Sequence, residues 1–128
     1  MLNSSLHSIR SKTICITVDE PLIVQFAANN ALDFANATEL VANNCIGTDL
    51  NCGCPQKWAM AEGYGACLIN NPQLLRDVVL QTRNRIPNND FSVSIKIRIH
   101  PDIRLTLKHS YIKIQFKCYN LILIAGRL

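Results

Sequence analysis

NPQLLRDVVLQTRNRIPNNDFSVSIKIRI, residues 71–99, is the stretch that decides the fold. Asn71 can cap a helix and Pro72 suits its first position. Leu74, Leu75, Val78, Val79 and Thr82 recur on one face, so the spacing predicts a helix ending near Arg85. Pro87, Asn88, Asn89 and Asp90 make the turn that follows. Phe91 to Ile99 then alternates strictly and is rich in β-branched residues, the pattern of a strand.

Working outward, PLIVQFAAN (residues 21–29) is almost continuously apolar, which predicts a strand buried on both faces. Residues 30–43 put Phe34, Ala37, Thr38 and Val41 at helical spacing, with Asp33, Asn36 and Glu39 elsewhere around the wheel. Cys45 to Asn51 reads as a second short strand. The order strand, helix, strand, helix, strand implies parallel strands joined by right-handed crossovers, hence an α/β sheet or barrel. Beyond Thr106 the text changes: LKHSYIKIQFKCYNLILIAGRL has two β-like runs, no capped helix and no acid. It reads either as an edge strand or as sequence foreign to the fold.

With 128 residues, 48% hydrophobic and 17% charged, the chain has the make-up of a globular domain, not of a disordered or collagen-like one. No run approaches the roughly 18 apolar residues of a membrane span, and MLNSSLHSIR lacks the apolar core of a secretory signal. The expected home is the cytoplasm, with the nucleus as the alternative, and no membrane partner is expected. Reducing surroundings argue against a disulfide framework for the six cysteines. Cys15, Cys45, Cys52, Cys54, Cys67 and Cys118 contain no C-x-x-C pair and no His at finger spacing, so no metal is expected. The net charge of +4 comes wholly from Lys108, Lys113, Lys117 and Arg127, because residues 1–106 carry nine basic and nine acidic side chains. Charge alone therefore makes no case for nucleic acid.

In the strand at 91–99, Val93, Ile95, Ile97 and Ile99 share one face, and Ser92, Ser94, Lys96 and Arg98, with His100 beyond it, share the other. In an antiparallel sheet that polar face would meet water. In a parallel barrel, Lys96 and Arg98 would point into the mouth, where two cations are costly unless a ligand meets them. The second strand runs straight into Cys52-Gly53-Cys54-Pro55-Gln56, and glycine and proline would hold Cys54 on a short, rigid loop. The plainer reading is that Cys52 and Cys54 are small buried hydrophobes. Gly63 and Gly65 form only a lone G-x-G, without the lysine or third glycine of a nucleotide loop.

Taken together, DLNCGCPQKWAMAEGYGACLINNP (49–72) and VSIKIRIH (93–100) resemble the tRNA-dihydrouridine synthase family, with its N-x-G-C-P, G-A-x-L and V-K-x-R motifs in order. Trp58, Met60 and the run Gln25 to Asn29 are most similar to the eukaryotic branch acting on D-loop uridines. The resemblance covers residues 21–106. It implies an FMN enzyme drawing electrons from NADPH that reduces uridine in tRNA, on a (β/α)8 barrel. It also implies that Cys54 is the catalytic acid, protonating one carbon of the uracil double bond while hydride reaches its neighbour. A nucleophilic cysteine would need a depressed pKa, which this role does not require. By the same resemblance Gln25 and Lys96 hold the flavin, and Asn51 and Arg98 contact the uracil. Cys52 has no role in the pattern.

A whole barrel needs about 250 residues, so the expectation is a partial one of roughly three βα units, residues 21–106, flanked by an unmatched segment (1–20) and an atypical basic tail (107–128). Such a piece is expected to be inactive alone, with unpaired sheet edges and an uncovered apolar face. The competing readings are another pyrimidine-handling FMN barrel, of the dihydroorotate or dihydropyrimidine dehydrogenase kind, and a non-catalytic truncated product. Gly53 and the run Gly63 to Ala66 favour the tRNA enzyme over the former.

Overall fold

The computed structural model describes residues 20–98, 102, 104 and 121–126, the last as backbone. Four parallel strands form one sheet in the order β1 (Ile23–Phe26), β2 (Gly47–Cys52), β3 (Ser92–Arg98), β4 (Leu121–Gly126). Residues 121–126 thus pair in parallel with β3, at the edge of the sheet among the described residues. His100 lies outside the described residues.

Between β1 and β2 runs helix α1 (Ala31–Val41), capped by Asn30, whose side chain accepts from the Asp33 amide at 2.8 Å. Between β2 and β3 come a short helix α2 (Lys57–Ala61), a 3-10 segment (Gly65–Asn70) and helix α3 (Pro72–Arg85). The α3 boundaries follow its punctuation: Asn71 Oδ1 accepts from the Leu74 amide at 3.2 Å, Pro72 opens the first turn, and Leu75, Val78, Val79 and Thr82 are buried. Among the described residues, no helix is long and apolar enough to cross a membrane.

The core lies between the two long helices and one face of the sheet. Phe34 is fully buried and meets Phe26 edge-on, with ring centroids 6.2 Å apart. The Thr38 and Thr48 hydroxyls share a hydrogen bond of 3.1 Å in the same interior. Val93, Ile95 and Ile97 pack with Leu75, Val78 and Val79. Arg85 ties α3 to Asn36 and, at 3.2 Å, to Glu39 on α1. The apolar face of β2 and β3 is therefore closed by helices, and it is the polar face that lies away from them.

Two details differ from the periodicity reading. On α1 the buried alanines are Ala31 and Ala35, while Ala37 is half-buried, because the buried stripe runs 31, 34, 35, 38, 41. Strand β1 is not buried on both faces. Val24 and Phe26 turn toward the helices, whereas Ile23, 40% exposed, and Gln25 alternate to the opposite face, which lies away from them.

Candidate functional site

In-register neighbours in a parallel sheet project to the same side. The register pairs Gln25 with Asp49, Asp49 with Ser94 and Asn51 with Lys96. These residues and Arg98, two positions beyond Lys96, therefore share the face away from the helices. At its C-terminal end β2 passes into the cysteine loop. Asn51 Nδ2 donates to Gln25 Oε1 at 3.3 Å, Asn51 Oδ1 accepts from the Gly53 amide at 3.0 Å, and Arg98 Nε donates to the Gly53 carbonyl. Gln25 is thus joined to Asn51, and Asn51 and Arg98 are each joined to the loop bearing Cys54. Lys96 is half-buried beside Asn51 and makes no ion pair among the described residues.

Cys54 itself is half-buried and lines a cavity of about 280 Å3 with Asn51, Ala27, Trp58, Ala59, Tyr64 and Gly65. Gln25, Lys96 and Arg98 stand outside that lining, beside it on the sheet. A second cavity, about 590 Å3, lies at the opposite end of the strands, against Pro21, Leu22, Cys45 and Ile46, and contains none of the expected site residues.

Two glycines follow the loop, with different tasks. Gly63, at φ 82, ends α2: its amide donates to the Met60 carbonyl at 3.1 Å and the Tyr64 amide to Ala59 at 2.8 Å, the paired bonds of a left-handed helix stop. Gly65, at φ 72, presses on Cys54. A Cβ there would stand 2.6 Å from the Cys54 carbonyl oxygen and 2.9 Å from its Cβ, and the next amide, Ala66, donates to that carbonyl at 2.9 Å. Gly65 is therefore the brace for the cysteine.

Cys52 points the other way. It is 1% exposed, belongs to the core, and its thiol is pushed up to about 12, by burial first and then by the nearby Asp49 and Cys67 charges. Of the two cysteines in the motif, only Cys54 is on the cavity side. Among the described residues, no three His, Cys, Asp or Glu side chains gather to hold a metal.

The sequence reading missed Asp49, although it lies two residues before Asn51 on the same strand face. It is 2% exposed and accepts from Gln25 Nε2 at 2.5 Å and from Ser94 Oγ at 2.6 Å. Alternation along β2 could have flagged it; its partners on β1 and β3 could not be read from one strand. The exposed Trp58, whose indole donates to Gln56 at 2.7 Å, also joins the cavity wall.

A family model described as dihydrouridine synthase matches residues 4–123. The chain belongs to the dihydrouridine synthase family. The match is wider than the 21–106 carried by the motifs. A human protein named as a tRNA-dihydrouridine(20a/20b) synthase-like protein is 60% identical over 89 residues, 70% of this chain and 28% of its own length. Its mouse counterpart is 61% identical over 105 residues, 80% of this chain and 32% of its own. The tRNA-dihydrouridine(20a/20b) synthase of Saccharomyces cerevisiae is 39% identical over 90 residues, 70% of this chain and 24% of its own. The chain spans about a third or less of the curated relatives it matches.

Proposed function

We propose that this chain carries the cysteine loop and part of the flavin site of a tRNA-dihydrouridine synthase. The observation that carries the reading is the gathering of Gln25, Asn51, Lys96, Arg98 and the Cys54 loop at the C-terminal ends of parallel strands, on one polar face. In a barrel, which we propose as the setting of this four-stranded sheet, that end is where ligands bind.

FMN is the proposed cofactor, and the residues fit one edge of its ring. Lys96 offers an ammonium with no ion pair among the described residues, suited to a carbonyl or anionic edge, and the Gln25 amide is fixed on the same face two strands away by Asp49 and Asn51. When bound, reduced flavin supplies the hydride; NAD(P)H is the proposed electron source, in keeping with the NAD(P)+ in the relatives' names. Asn51 and Arg98 would orient the uracil, with Asn51 in the wall of the Cys54 cavity. The Cys54 thiol would give its proton to the carbon adjacent to the one receiving hydride, so that one hydride and one proton saturate the double bond. The proposed substrate is a D-loop uridine of tRNA, 20a or 20b by likeness to the human and mouse relatives. A tRNA substrate makes the cytoplasm the proposed compartment, with the nucleus as the alternative. No metal enters this scheme.

The test is a graft: residues 21–106 replace the matching segment of the mouse relative, and dihydrouridine in tRNA is measured by mass spectrometry. The graft should reduce uridine, and Cys54→Ala should abolish reduction while flavin absorbance stays. Reduction at the parent rate by Cys54→Ala would refute the acid assignment.

A further inference from the structure

We infer that Asp49 is a positioning residue that sets the direction of a hydrogen-bond relay running from the sheet interior to the cysteine loop, and so fixes which atoms Gln25 and Asn51 present to a ligand. The inference rests on the proposed flavin site for its consequence, but on the geometry of this chain alone for its mechanism.

The relay crosses three strands. Ser94 Oγ on β3 donates to Asp49 Oδ1 at 2.6 Å, Gln25 Nε2 on β1 donates to Asp49 Oδ2 at 2.5 Å, Asn51 Nδ2 on β2 donates to Gln25 Oε1 at 3.3 Å, and the Gly53 amide donates to Asn51 Oδ1 at 3.0 Å. A carboxylate only accepts and a backbone N–H only donates, whereas a side-chain amide can sit either way round. Two amides lie between an end that only accepts and an end that only donates. One direction alone satisfies every bond: both NH2 groups toward Asp49, both carbonyl oxygens toward the loop. Reversing either amide would set two donors against each other.

Burial makes this directional control effective. Asp49 is 2% exposed, so it has no water to turn to and its two donors are Gln25 and Ser94. The far end of the relay is the amide immediately before Cys54, whose carbonyl Arg98 grips. A break in acceptance from Gln25 at Asp49 should therefore be felt at the cysteine without any direct contact between them, whereas a replacement that still accepts from Gln25 should not.

The relay predicts a complementary swap. Gln25→Glu sets a carboxylate against Asp49 and should break the relay. Adding Asp49→Asn should mend it, because the new NH2 at position 49 can donate to the new carboxylate on β1. The oxygen beside that NH2 still accepts from Ser94, and the β1 carboxylate still accepts from Asn51. Iodoacetamide alkylation of Cys54 in the full chain, read by site-resolved mass spectrometry, should rise about tenfold in Gln25→Glu and return to within about threefold of the parent in the double variant. Asp49→Asn alone should also stay within about threefold, since Ser94 can turn to accept from it. Failure of the double variant to restore slow alkylation while its circular dichroism matches the parent would overturn the inference. So would a tenfold rise in Asp49→Asn, which serves if the double variant does not fold. FMN affinity is measured alongside on the same proteins: neither Gln25→Glu nor the double variant should bind as the parent does, since both lose the Gln25 N–H. Restored alkylation with FMN affinity unchanged throughout would sustain the relay and sink the flavin reading instead.

Discussion

Replacing Gly65 by alanine tests whether this glycine braces the cysteine loop. A left-handed backbone costs an L-residue roughly 1–2 kcal/mol, and Gly65 has φ 72. The new methyl would stand 2.6 Å from the Cys54 carbonyl oxygen and 2.9 Å from its Cβ, both too close to persist. Cys54 must move, and the 2.9 Å bond from the Ala66 amide to its carbonyl is lost, at about 0.5–1.5 kcal/mol. Together the penalty is about 1.5–3.5 kcal/mol, before any cost of the displaced loop. Gly63→Ala is the control. Gly63 has a similar φ of 82, but its added methyl would meet only the Asn29 side chain at 3.6 Å, an ordinary contact, so it should lose only the conformational part, about 1–2 kcal/mol. Urea unfolding of the two variants, in this chain or in the graft, measures the difference. Gly65→Ala should be the weaker fold by about 1 kcal/mol or more, and its Cys54 should alkylate faster. Equal midpoints and equal alkylation in the two variants would refute the brace.

Two further outcomes follow from the core. The buried Cys52 thiol, pushed up to about 12, is held protonated by the fold, while in the unfolded chain it ionises near 9.0. The stabilisation is present in full below pH 9.0 and is lost as pH rises toward 12, at about 1.4 kcal/mol per pH unit while only the unfolded chain is ionised. Unfolding midpoints from pH 8 to 11 should fall steeply in the parent and less steeply in Cys52→Ala, with a remainder from Cys45, which burial also raises; parallel curves would contradict this. Phe34→Ala removes a fully buried ring stacked edge-on against Phe26 and should cost about 3–5 kcal/mol, read as loss of cooperative thermal unfolding; a loss under 1 kcal/mol would mean the α1 interface is not the core.

Much of this architecture was legible because local chemistry and long-range packing agree. Asn71, Pro72 and the stripe from Leu75 to Thr82 announce α3, and strict alternation announces β3, with Lys96 and Arg98 opposite the isoleucines. Strand β1 misled because a run of apolar letters reads as burial on both faces, while what Ile23 meets depends on what covers its face of the sheet, which no local pattern names. The cysteine loop was legible as a motif, but the division of labour within it was not. That Cys52 turns into the core and Cys54 to the cavity follows from which face of β2 the helices cover. Asp49 was hidden for a related reason: a carboxylate in a strand reads as solvent-facing until Gln25 and Ser94 are seen on either side of it.

The most direct test is a flavin titration of the graft stripped of its cofactor, following FMN fluorescence. Lys96→Ala and Gln25→Ala should each weaken binding at least tenfold, while Cys54→Ala, on the cavity beside them, should bind within about threefold of the parent. FMN bound equally well by all four proteins would place the ring elsewhere and contradict the account.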